Sequence, residues 1–211
     1  MVHRRSIGGD AVVFGNHGAL WGNAMTWFDH DTGTVWSQPL GEAIVGPLKG
    51  IKLDLLPSTL TEWGEWKRLH PETKALDAPG EPTRFSLRNM SLVVSFGAES
   101  AAYPANDLGE VVNDIVSEIP IAVVLDPNTE ESWTVFSRTL DDGVVVDLAF
   151  TDSGDLVDRA SGTTFHISRG TGVTGPYSDQ ILDQLPAFTS FTKDYYTFYP
   201  DGRIWGTSRA P

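Results

Sequence analysis

The sequence predicts a mainly β (α+β) protein: two pseudo-symmetric β-rich repeats with a few short helices. Three observations lead there. Short alternating runs bounded by turn residues recur along the chain, only one stretch carries a clear helical pattern, and the second half of the chain repeats part of the first.

Runs that alternate apolar and polar residues between Gly, Pro, Asn and Asp read as half-buried strands. In chain order they are Ala11–Phe14, Ala24–Phe28, Thr34–Gln38, Ile51–Leu55, Leu92–Phe96, Ile119–Leu125, Trp133–Ser137, Val144–Phe150, Thr163–Ile167 and Ile181–Gln184. The helical stretch is TLTEWGEWKRLHP. Thr61 can cap it, Glu62 and Glu65 suit its first turn, and Pro71 ends it. Leu60, Trp63, Trp66 and Leu69 fall on one face of that helix. Tyr103–Glu110 is a second short helix candidate. Asp77–Asn89, rich in Pro, Gly and polar residues, reads as a linker.

The repeat is explicit. Asp29–Pro71 aligns without a gap on Asp158–Pro200 at a constant offset of 129. Asp29, Gly33, Thr34, Gly41, Gly46, Pro47, Leu53, Asp54, Leu56, Pro57 and Pro71 meet identical residues. Those eleven identities exceed the roughly three that ordinary composition gives by chance. The register predicts that Ser190–Tyr199 is helical like its counterpart, despite its Phe, Tyr and Thr content. It also divides the chain into a first repeat (1–76) that begins part-way through, a linker (77–90) and a complete second repeat (91–211).

Composition bounds the function. Forty per cent hydrophobic residues, with seven Trp and ten Phe, support a packed core. The balance is acidic, with 28 Asp and Glu against 15 Lys and Arg, so no basic face stands ready for nucleic acid. No apolar run is long enough to span a membrane, and the start of the chain lacks the apolar region of a secretory signal. The absence of cysteine removes disulfides, thiolate catalysis and zinc-thiolate sites. No P-loop, dinucleotide fingerprint, nucleophile elbow or H-E-x-x-H motif occurs. No cofactor is expected.

Asp29, His30 and Asp31 invite a metal reading, and the repeat argues against it. DHDTGT becomes DRASGT in the second copy. What persists is D-x-x-[ST]-G-T, a pattern in which an Asp accepts backbone N–H groups within a turn. A turn is therefore expected, and no metal. Residues peculiar to the first copy are better candidates for a site: Trp36, Gln38, Glu42 and His70 become Phe165, Ile167, Thr171 and Tyr199. With Asp29 they offer the ingredients of a polar, aromatic-lined pocket. Trp36 would stack on a ligand, Gln38 would orient it, and Glu42 would bind a cation or accept a proton.

The pattern D-x-x-T-G-x-x-W-x-Q-x-x-G-E-A-I-x-G, met here from Asp29 to Gly46, resembles the family called domain of unknown function 3179, and the resemblance runs over nearly the whole chain. It implies a doubled unit and an extracytoplasmic setting. It also implies a Cys-Pro-x-Cys stretch just ahead of the point where this chain starts. This chain has no cysteine, and Asp126-Pro127 stands at the corresponding place in its second copy. The resemblance implies no activity. The leading expectation is a ligand-binding or structural module whose partner is an unknown small ligand or protein. The alternative is a hydrolase-like or metal-dependent enzyme using Glu42 as base and His70 as acid or ligand.

Overall fold

The computed structural model describes residues 1–75, 86–107, 111–129 and 132–207. The first elements are strands β1 (Ser6–Ile7), β2 (Asp10–Ala11), β3 (Phe14–Trp21), β4 (Ala24–Asp29), β5 (Val35–Ser37) and β6 (Glu42–Val45), then helix α1 (Trp63–Leu69). There follow β7 (Met90–Phe96), β8 (Glu99–Pro104), β9 (Val112–Val116), β10 (Ile119–Leu125) and β11 (Trp133–Ser137). Next come β12 (Leu148–Phe150), β13 (Leu156–Asp158), β14 (Thr164–Phe165) and β15 (Gly172–Thr174). Strand β16 (Phe188–Phe191), a 3-10 turn (Thr192–Asp194), helix α2 (Tyr195–Phe198) and β17 (Arg203–Ile204) complete the described chain. The protein is mainly β, as its alternating runs predict. No described helix is long and apolar enough to cross a membrane.

The chain forms two compact units. Unit 1 is Met1–Ser58, Asn89–Pro104 and Leu185–Pro211; unit 2 is Thr59–Arg88 and Ala105–Gln184. Unit 1 holds the β1–β2 hairpin, the antiparallel meander β3-β4-β5-β6 and the sheet β16-β7-β8-β17. Trp36, Ala43 and Leu53 make one of its cores, and Val93, Ala102, Phe188 and Tyr195 make another. Unit 2 holds the sheet β11-β10-β9 and the meander β12-β13-β14-β15. Its core gathers nine buried apolar side chains, among them Phe136, Leu148, Leu156, Phe165 and Leu182. Strands this short hold because each meander buries one face against such a cluster.

The two meanders share a pattern of backbone bonds. Gly33 N donates to Asp29 O at 2.9 Å, as Gly162 N does to Asp158 O. Ala43 N donates to Ile51 O, as Gly172 N does to Gln180 O. Leu53 N donates to Gly41 O at 2.8 Å, as Leu182 N does to Gly170 O at 2.9 Å. Gly41 and Gly170 both have positive φ, 61° and 67°. A Cβ on Gly170 would also lie 2.6 Å from the Leu182 carbonyl oxygen. Backbone cannot yield as a side chain tip can, so Gly170→Ala is expected to cost about 2 kcal/mol, measured by urea unfolding.

The likeness begins earlier than the sequence identities show. Arg4 N bonds Asp54 O at 2.8 Å as Ser137 N bonds Asp183 O at 2.7 Å, and the Arg5 and Arg138 guanidiniums reach Val12 O and Val146 O. Val2–Ile7 thus corresponds to Val135–Leu140, at an offset of 133 rather than 129. The offset rises to 134 at Val12 and Val146, whose N–H groups bond Arg5 O and Arg138 O, and hairpin length then lowers it to 129. Partners Phe14 and Asp29 stand 15 residues apart in sequence, whereas partners Leu148 and Asp158 stand 10 apart. The hairpin β3–β4 is therefore five residues longer than β12–β13.

The copies also exchange tails. The meander of the first copy lies in unit 1, but its helix α1 belongs to unit 2; the meander of the second copy lies in unit 2, but its helix α2 belongs to unit 1. In unit 2, Leu60 bridges Trp133 and the Gln184 side chain donates to Thr59 Oγ1 at 2.7 Å. In unit 1, the equivalent segment β16 pairs with β7, with Thr189 opposite Leu92.

Some expectations need correction. Ser190 and Phe191 are strand, because β7 offers them a partner, while Thr192–Phe198 winds into a 3-10 turn and α2 as the repeat register predicts. Thr61 does not cap α1: the N-cap is Glu62, without a side-chain bond, and the Thr61 hydroxyl accepts from Ser132 Oγ. Helix α1 has no buried residue, with Trp63 47% and Trp66 38% exposed, so its aromatic face is not core. Tyr103 and Pro104 end strand β8, Ala105–Asp107 is a 3-10 turn, and the rest of that helix candidate lies outside the described residues, as does most of the linker.

Candidate functional site

Asp29 stands at the end of β4 and is completely closed from solvent. Its carboxylate accepts Thr32 N at 2.6 Å, the Thr32 hydroxyl, and Trp36 Nε1 at 3.0 Å. Trp36, on β5, is fully buried as well and packs edge-on against Phe14. The two therefore hold the turn and the core of unit 1 together. Burial raises the Asp29 pKa, but the bonds from Trp36 and Thr32 outweigh it and hold the carboxyl below its usual range. His30 stacks on Phe28, with ring centroids 4.9 Å apart. Among the described residues no three His, Asp or Glu are grouped to hold a metal ion.

Gln38 follows β5, and its carbonyl oxygen accepts from His3 Nε2 at 3.0 Å. Glu42 opens β6 and lies 3.2 Å from Lys52 Nζ. His70 ends α1 in unit 2, exposed, with its ring 4.1 Å from that of Trp66. Of the five candidates, the structure joins Asp29 to Trp36 by a direct bond. Glu42 and His70 belong to different units.

Unit 2 holds a concavity elsewhere. A cleft of about 470 Å³ opens between α1, the β12–β13 hairpin, β14 and the turn after β10. That volume lies within the usual range of small-molecule sites. Its existence follows from hairpin length. In unit 1 the longer β3–β4 hairpin reaches α2: Trp21 stacks edge-on against Phe198, Asn23 Nδ2 bonds Asp194 Oδ1 at 3.0 Å, and Gly22 lies against Thr197 and Phe198. Glu65 and Arg68 occupy the positions in α1 that Asp194 and Thr197 hold in the other copy. The shorter β12–β13 hairpin leaves them facing open space.

The walls mix polar side chains with Leu156, Phe165, Ile167 and Val173. Arg68 clasps Glu65 with two bonds, Nη2 to Oε1 at 2.6 Å and Nε to Oε2 at 3.0 Å. The Arg68 bond holds the Glu65 carboxyl below its ordinary pKa. His166 follows β14. The Ser168 backbone N–H donates to its Nδ1 at 3.3 Å, which fixes the tautomer with hydrogen on Nε2. Burial lowers the His166 pKa, and the Arg169 charge adds to it, so the ring is neutral at pH 7. Asp126 turns one oxygen to Asn128 N at 2.9 Å, an Asx turn that shapes the far wall. Among the described lining residues three carboxylates, of Glu65, Asp126 and Asp155, outnumber the Arg68 guanidinium. Such a cleft suits neutral or cationic molecules rich in hydrogen-bonding groups and opposes anions.

Sequence reasoning passed over His166, Glu65 and Arg68. For His166 the signal was the same repeat comparison read in the other direction, toward residues peculiar to the second copy, where His166 replaces Ser37.

A two-unit β protein with tail exchange and an opened cleft in unit 2 is the class that fold and site define. The chain belongs to the family described as Protein of unknown function (DUF3179), whose model matches residues 1–88 and again 83–210. The two matches agree with the doubled architecture. No curated protein and no solved structure matches the chain.

Proposed function

We propose that the protein is a binding module for a small, uncharged or cationic polar molecule, held in the cleft of unit 2. The observation that supports this reading is the opened space between α1 and the short β12–β13 hairpin, lined by Glu65, Arg68 and a neutral His166. Arg68 and Glu65 orient the ligand from one wall, and His166 Nε2–H serves as the donor of the other.

A thermal-shift screen with neutral and cationic small molecules tests it. A binder at 100 times its Kd should stabilise the protein by about 2.7 kcal/mol. Arg68→Met and Thr164→Trp, the second filling the cleft from its wall, should abolish that shift while leaving the ligand-free Tm within a few degrees. Glu42→Gln should leave it intact. Loss of the shift in Glu42→Gln with retention in Arg68→Met would place the site on the first copy instead.

A further inference from the structure

Behind the cleft lies a second, much smaller cavity of about 10 Å³, just enough for one water molecule. Glu65, Asp126, Ile167 and Ser168 line both spaces, so the small cavity adjoins the cleft. Trp133 lines the small cavity, 2% exposed, and its Nε1 is buried without a hydrogen-bond partner. An unmet indole N–H in a closed interior costs about 1–3 kcal/mol, and native proteins rarely leave one so. The remaining polar wall is hydroxyl: Ser132 Oγ bonds Thr61 Oγ1 at 3.3 Å, and Thr134 Oγ1 bonds Thr59 Oγ1 at 3.4 Å.

We infer that this inner cavity is a one-oxygen site, filled by water in the free protein and by a hydroxyl oxygen of the bound ligand in the complex. The inference rests on the cleft being a binding site and names the ligand class: a neutral polyol or monosaccharide. The chemistry narrows it in three steps. Indole N–H is only a donor, so the occupant must accept, and a metal or ammonium ion is excluded. The Glu65 and Asp126 carboxylates on the same walls repel an anion. Ser and Thr hydroxyls can accept the proton that a hydroxyl or water donates in return, which a carbonyl oxygen lacks.

Proton–nitrogen NMR of the full chain tests this. The Trp133 indole resonance is identified by its loss in Trp133→Phe; should that variant not fold, its displacement in Ser132→Ala serves. In the free protein the indole proton should show a cross-peak to a long-lived water. Titration with glucose and myo-inositol should remove that cross-peak and shift the indole signal, and glucuronate at equal concentration should do neither. An indole proton without a water cross-peak and unmoved by every probe overturns the inference. So does a water that no polyol displaces. The His166 ring protons report on the outer cleft separately. Shifts there with an unmoved Trp133 would refute the one-oxygen site and leave the ligand-binding reading standing.

Discussion

Asp29→Ala should lower the unfolding free energy by about 3 kcal/mol, because it strips a sealed carboxylate from three donors at once. The Trp36 indole N–H would be left buried and unmet, which a simple loss of a turn cap does not entail. His30→Ala, beside it, should change stability by less than about 0.5 kcal/mol. Chemical denaturation of the three proteins settles the order. The same carboxylate gives the protein an acid limit. Asp158 repeats the arrangement in the second copy: burial raises its pKa, and bonds from Ser161 and Asp147 N outweigh that and hold it low. A depressed folded-state pKa stabilises above the unfolded value, near 3.9, and that contribution is lost as pH falls through the lower folded-state values. Stability contributed by these two groups should therefore be level from neutrality to about pH 4 and decline below it. Asp29→Asn should flatten that decline.

Tyr195→Ala should cost about 4 kcal/mol, in the range of buried aromatic deletions. Trp66→Ala, at the equivalent position of the other copy, should cost about 1 kcal/mol or less. Tyr195 is 1% exposed, bonds Ser100 Oγ at 2.8 Å and packs with Phe188 in the unit 1 core. The Trp66 indole donates to the Thr73 hydroxyl and lies against the His70 ring. Equal costs would contradict the unequal seating of the two helices.

How much of this was legible in the sequence depends on range. The strong β-formers of β7, β10 and β11 announced themselves through branched and aromatic residues. Strand β3, FGNHGALW, did not, because its Gly, Asn and His mimic a loop; pairing with β4 makes it a strand. Strand β15, GVT, is likewise set by its neighbour β14. The helix at Thr192–Phe198 was legible only through the repeat, against local propensity. Of the candidate site, Asp29 and its turn were readable from the shared D-x-x-[ST]-G-T pattern. The cleft was not. It needs a hairpin-length difference hidden by the gap-free alignment, and it joins Glu65 to His166, about a hundred residues apart, through a tail that changes units.

That exchange sets the order in which the protein can be completed as it leaves the ribosome. Unit 2 has all its described segments once Gln184 has emerged, since its borrowed helix α1 came out long before. Unit 1 must wait for β16, α2 and β17, although its meander was among the first segments made. Until then Val93 and Ala102 lack the Phe188 and Tyr195 that bury them, and the bonds Ser91–Thr192 and Asn23–Asp194 span 101 and 171 residues. Long-range closures of this kind slow folding and prolong exposure of apolar strand. The nascent first unit therefore carries an uncovered apolar strand pair until β16 and α2 have been made.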